Sequence, residues 1–233
     1  MDLLSKIGKK LSKPHRKRLE AFYDSYYPGI HYILRGHLSR VVATKKYLKN
    51  NQVPKLQIGC GHNLLDGWLN ADIVSGEIYL NAERKLPFKD NTFGYVFCEH
   101  LLEHLSLKCG SRFLKECHRI LKKGGIIRIT TPDLEKLIDL CFDEQSLVRR
   151  QDLIKTVYSK EISPCELFNN YWNRWGHRFI YDKGFLRSSL YRIGFTGVTF
   201  CENTKSSHVE LANVEKHPVL INLAEALTVE ATK

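Results

Sequence analysis

Residues 56–61 read Leu-Gln-Ile-Gly-Cys-Gly, and a second short segment downstream, WLNADI, carries an acid at Asp72. An apolar strand that breaks into Gly59-Cys60-Gly61 leaves bare backbone where a polar ligand can approach closely, because glycine has no Cβ and accepts positive φ. In an open parallel sheet the carboxyl ends of neighbouring strands face one crevice. A glycine turn on one strand and a carboxylate on the next can there hold an adenosine-type ligand, the Asp accepting from ribose hydroxyls.

The rest of the chain continues that pattern. From Lys55 onward the segments KLQIG, WLNADI, EIYLNA, YVFCEH, IIRITTP, VTFCEN and LTVEATK read as strands, with helical stretches between several of them. Alternation of this kind predicts a parallel α/β sheet. Residues 134–194 predict about three helices where a short connection would suffice, and form a helical insertion within a domain spanning 51–233. Residues 1–50 contain no strand pattern. Leu3, Leu4, Ile7 and Leu11 recur at helical spacing among lysines, and 31–50 predicts a second helix leading into the first strand.

The stretches LPFKDNTFGYVFCEHLLEHL (86–105) and HRILKKGGIIRITTPDL (118–134) resemble the class I S-adenosylmethionine (SAM)-dependent methyltransferases, in particular the type 11-like branch with an EHxLEH motif. The resemblance spans residues 55 to about 200, and LTVEATK is similar to the family's last strand. It implies a Rossmann-like, seven-stranded, mostly parallel sheet with helices on both faces and the last strand antiparallel. It also implies S-adenosyl-L-methionine as cofactor; the scattered cysteines and the absence of a signal-peptide pattern in MDLLSKIGKKLSK are what lead us to expect a cytoplasmic enzyme.

Carried over residue by residue, the resemblance assigns cofactor binding to Gly59, Cys60, Gly61, Asp72, Asn81, Ala82 and Glu99. The glycine turn would offer backbone N–H and C=O groups to the amino acid half of SAM, Asp72 would take the ribose diol, and Asn81 would accept from the adenine amino group. Asn63 stands where many relatives have a third glycine and is expected in the left-handed region. Only ten residues separate Gly61 from Asp72, too few for a crossover helix plus a strand. Asn81 and Gly94 stand where relatives usually carry Asp. Glu99, His100 and His177 are the catalytic candidates, to orient the acceptor or take its proton. Asp133, Trp175, Arg178, Tyr181 and Asp182 are expected to face the same crevice, and the 134–194 insertion is the candidate acceptor lid.

His100-Leu101-Leu102-Glu103-His104 matches the HxxEH zinc string literally. It follows a strand end and lacks a third ligand nearby, so no metal is expected. The seven cysteines include no CxxC pair and mostly sit in apolar segments, which predicts reduced thiols.

The net charge of +11 suggests nucleic acid until it is divided. Residues 1–50 hold 12 Lys/Arg against 3 Asp/Glu, whereas 51–233 hold 24 against 22. A nearly neutral core with no RNA-binding module makes nucleic acid an unexpected partner. The expected acceptor is a small molecule or saccharide, as in surface-polysaccharide synthesis. Residues 1–18, with seven Lys/Arg, are expected to touch an anionic membrane from its inner face. RNA methylation and a catalytically weak SAM-binding partner protein are the alternative readings.

Overall fold

Strands form at all seven predicted places. In the computed structural model, which describes residues 37–157, 161–173, 175–216 and 226–233, they are β1 (Lys55–Ile58), β2 (Leu69–Asp72), β3 (Ile78–Tyr79), β4 (Phe93–Glu99), β5 (Leu121–Pro132), β6 (Thr196–Cys201) and β7 (Ala226–Thr232). Their order is β3-β2-β1-β4-β5-β7-β6. The first five pair in parallel, and β7 runs antiparallel between β5 and β6.

Helices α1 (His37–Asn50), α2 (Leu107–Ile120), α3 (Leu134–Phe142), α4 (Leu147–Val157), α5 (Pro164–Asn173) and α6 (Lys183–Ile193) surround the sheet. Three of them begin on a side-chain cap that satisfies an orphan amide. Ser106 Oγ accepts from Cys109 N, Asp133 from Glu135 N and Asp182 from Phe185 N. Asp182 is therefore spent on starting α6 rather than on the crevice. The insertion holds four helices, one more than the pattern predicted, because α6 is the helix that leads into β6.

Side chains alternate across a strand, and here the two faces differ sharply. Leu56, Ile58, Leu69, Ala71, Val96, Cys98, Ile127, Ile129, Leu227, Val229 and Ala231 share one face with Phe113, Leu114 and Cys117 of α2 and Leu186 and Leu190 of α6. The other face carries Gln57, Asn70, Phe97, Glu99, Arg128, Thr130, Thr228 and Glu230, all buried. Among the described residues it is covered largely by turns of 62–68 and 202–216, with Leu65, Trp68, Leu211 and Val214 packed on Phe97 and Ile126.

Those turns need hydrogen-bond partners that a helix would supply to itself. Asn70 takes the place of the missing crossover helix. Its Oδ1 accepts from Leu65 N at 2.9 Å, its Nδ2 donates to Leu65 O at 3.1 Å, and its own amide donates to Glu77 Oε2 at 2.7 Å. On the other strands Arg128 donates to Glu215 (2.6 Å) and Glu230 (2.5 Å), and Glu215 also accepts from Thr130 (3.0 Å) and Thr204 N (3.2 Å). A third, smaller core of Leu137, Leu140, Leu153, Leu167, Tyr171 and Ile180 gathers α3, α4 and α5.

All seven cysteines are free, and four of them are buried. Among the described residues no helix is long and apolar enough to cross a membrane. The predicted basic helix at 1–18 lies outside the described residues.

Candidate active site

The carboxyl ends of β1, β2, β4 and β5 bring most of the predicted residues to one edge. Gly59 (φ 74°) and Gly61 (φ 51°) turn the chain out of β1. A Cβ on Gly61 would meet nothing within 4 Å, so this backbone borders open space. Gly61 N donates to Asp72 Oδ2 at 3.0 Å and Val74 N to Oδ1 at 2.8 Å, which fixes the Asp72 carboxylate beside the turn. Each carboxylate oxygen keeps a further lone pair for a hydroxyl donor.

Two details differ from expectation. The amides of Gly59 and Cys60 donate to Ala71 O at 2.8 and 3.3 Å, so with Gly61 N all three N–H groups of the turn are already engaged. The short connection draws the turn onto β2, and what it presents to a ligand is bare Cα surface rather than an array of donors. Asn63 does not adopt positive φ. Its amide closes a turn onto Cys60 O at 2.9 Å and its carbonyl accepts from Gln57 Nε2 at 3.0 Å, so the two glycines alone make the reversal. The Cys60 thiol is pushed up to about 11 by burial and by the neighbouring Asp72, which keeps it protonated.

Asn81 spends its Oδ1 on Glu83 N at 2.8 Å, an Asx turn that leaves one acceptor position on that oxygen. Ala82 beside it is buried. Sequence reasoning passed over Ile73 and Val74, which follow Asp72 and are 41% and 47% exposed. An exposed apolar pair directly after Asp72 is a surface on which a flat ring can lie, and the signal was two aliphatics at a strand end where polar turn residues are usual.

Gly94 has a physical account. It is the second residue of β4, at the end remote from Glu99, and a Cβ there would stand 2.6 Å from Val53 Cγ1. An Asp at this position would not reach the crevice.

At the other end of β4, Glu99 is buried and its Oε2 accepts from Lys216 N at 3.0 Å. His100 takes φ 48°, a left-handed backbone that non-glycine residues adopt at a cost of about 1–2 kcal/mol. Its Nδ1 lies 2.9 Å from Glu103 Oε1, and Glu103 Oε2 accepts from Thr131 Oγ1 at 3.0 Å. Burial alone would raise the Glu103 carboxyl, but the His100 hydrogen bond and charge outweigh it and hold the group below the usual range.

The loop after α5 is stitched to this end, with Arg178 N and Phe179 N donating to Glu103 O at 2.7 and 3.2 Å and Leu134 N to Tyr181 O at 2.9 Å. That brings His177 against His104, ring centroids 5.0 Å apart. Burial lowers the His177 pKa and leaves the imidazole neutral. The remaining candidates serve the scaffold. Trp175 packs edge-on against Tyr171 at 4.7 Å, Tyr181 is fully buried with its hydroxyl pushed up to about 12 by burial, and Arg178 pairs with Glu83 on the surface. Asp133 is 1% exposed and caps α3.

Residues 70–129 match the family model of a methyltransferase domain. On a sheet of this order, with the glycine turn and Asp72 side by side, the match makes this region similar to class I SAM-dependent methyltransferase domains, whose cofactor is SAM. The chain is 28% identical over 150 residues to an uncharacterized protein of Methanocaldococcus jannaschii, covering 52% of this chain and 64% of that relative's length. An S-adenosylmethionine-dependent methyltransferase of Mesorhizobium loti, 15% identical, shares the fold with a TM-score of 0.50 over 82% of this chain and 98% of that one. A SAM-dependent methyltransferase of Archaeoglobus fulgidus aligns at 18% identity over 89% of this chain and 100% of that one, with a TM-score of 0.48.

Proposed function

We propose that the protein transfers the SAM methyl group to an oxygen or nitrogen nucleophile of a small-molecule or saccharide acceptor, in the setting of surface-polysaccharide synthesis. The observation that carries the methyl-transfer reading is the Asp72 carboxylate locked 3.0 Å from the open Gly61 turn. When bound, SAM supplies an electrophilic methyl on a sulfonium that is already a good leaving group. Transfer of that methyl to the acceptor's lone pair would release S-adenosylhomocysteine and the acceptor's proton, which Glu99 or His100 would take.

The protein's own residues then have positional work. Asp72 and the Ile73–Val74 surface hold the nucleoside, and the Gly61 backbone admits the rest. Glu99 and His100, at the end of β4, border the acceptor, with His177 across from them on the loop that roots the lid. Holding the acceptor in line and excluding water contributes most of the acceleration, since effective molarities in such sites reach about 10⁵–10⁸ M. Residues 1–18 belong to the proposal as a contact with an anionic membrane surface that keeps the enzyme beside lipid-linked saccharides.

Calorimetry with SAM and S-adenosylhomocysteine, then turnover on pooled saccharide acceptors, tests the reading. Asp72→Ala is expected to weaken both ligands by about 1.5–3 kcal/mol, the range for hydrogen bonds to a charged group. Unchanged affinity would remove Asp72 from the site.

A further inference from the structure

The loop stitched to the end of β4 does more than root the lid. Among the described residues Glu103, His104 and His177 each offer one ligand atom, and these three atoms all lie within 4.8 Å of one another. Two come from the HLLEH string and the third arrives from 73 residues downstream, which is the ligand the string itself lacked.

A second observation concerns the same imidazole. His177 is 9% exposed, and among the described residues its buried Nδ1 has no hydrogen-bond partner. An unpaired buried polar atom costs about 1–3 kcal/mol, so it calls for an occupant. Glu103 is fully buried, and among the described residues its two oxygens meet His100 Nδ1 and the Thr131 hydroxyl. That is how a ligating carboxylate is usually oriented by outer partners.

We propose that Glu103, His104 and His177 form a binding site for a divalent transition-metal ion, set at the carboxyl end of β4 beneath the helical insertion. One carboxylate and two imidazoles suit borderline ions such as Zn²⁺ or Co²⁺. Bonds of about 2.0–2.2 Å require the donors to draw somewhat closer than they stand, a movement within reach of side-chain torsions. Three protein ligands leave a coordination position for water or for an acceptor oxygen. The site stands on these side chains and does not depend on methyl transfer.

Co²⁺ is the probe. Titrated into the metal-stripped full-length protein, it should bind one ion per chain with visible bands of nitrogen and oxygen ligation and no near-ultraviolet sulfur-to-cobalt band. His177→Gln and His104→Gln should each lose more affinity than the roughly 10–100-fold typical of removing an outer partner, and Thr131→Val should fall inside that range. Circular dichroism of the metal-free variants establishes that they fold, and Glu103→Gln serves as the more conservative variant if a histidine variant does not. Three results would overturn the proposal: no stoichiometric binding by the folded wild type, equal binding by the variants, or a sulfur band that Cys165→Ser abolishes.

Discussion

The two faces of the sheet are covered in different ways. On the helical face the strands offer aliphatic side chains to α2 and α6, and nothing polar is required because a helix satisfies its own backbone. On the opposite face the cover is mostly turns, and the strands offer Asn70, Glu99, Arg128, Thr130 and Glu230, whose groups bind the backbone and carboxylates of what lies above. Irregular structure over a sheet is bought with buried polar side chains, and those are unforgiving when one partner is removed.

The sharpest test is Arg128→Ala. It strands Glu215 and Glu230 without their cation, and breaking a buried pair from one side costs about 3–5 kcal/mol. Urea denaturation should register that loss, and hydrogen exchange should rise first in 202–216. On the helical face, Leu190→Ala empties a fully buried site and should cost about 2–5 kcal/mol, with exchange rising evenly across the domain. Equal and uniform responses to both would erase the distinction between the faces.

A smaller effect is expected at Gly94. An acid at this position, Gly94→Asp, drives a Cβ against Val53 and should destabilise by about 1–3 kcal/mol without raising turnover. A gain in activity would show that this position reaches the cofactor after all.

Least in size is a pH effect on α2. The hydrogen bond from Arg119 holds the Glu116 carboxyl below the ordinary range, with burial opposing it. A depressed carboxyl contributes stability that is present above its unfolded pKa and lost as pH falls through its folded one. Thermal midpoints of Glu116→Gln should therefore converge with wild type as pH drops through the acidic range and lie slightly lower at neutrality. Parallel curves would deny the Arg119 interaction any part in acid sensitivity.

How much of this was legible beforehand follows from range in the sequence. The strands, the glycine turn and Asp72 are local patterns, and each is found where the sequence put it. The connection between Gly61 and Asp72 was visibly too short for a helix, but that Asn70 would replace the helix was not, since an Asn in a strand carries no mark of its partners. Arg128 and Glu215 lie 87 positions apart, and nothing in either neighbourhood announces the other. Gly94 was unintelligible until Val53 appeared beside it. Asp182 and Asp133 read as site acids because a cap and a ligand draw on the same residue types. His177 could be suspected of chemistry but not matched to Glu103 and His104 before the loop was seen to return to β4.

The position of β7 bears on the order in which the molecule is built. Made last of the seven strands, it lies between β5 and β6. As the chain emerges, β1 to β5 with the Gly61–Asp72 edge can assemble from contacts close in sequence, which form fastest. Until residues 226–232 arrive, β5 is an open edge, β6 has no neighbour, and Arg128 lacks Glu230. An unpaired strand edge of this kind invites pairing with other chains. Among the described residues, the pairing that closes the polar face therefore waits on residues 226–232, while the Gly61–Asp72 edge needs none of them.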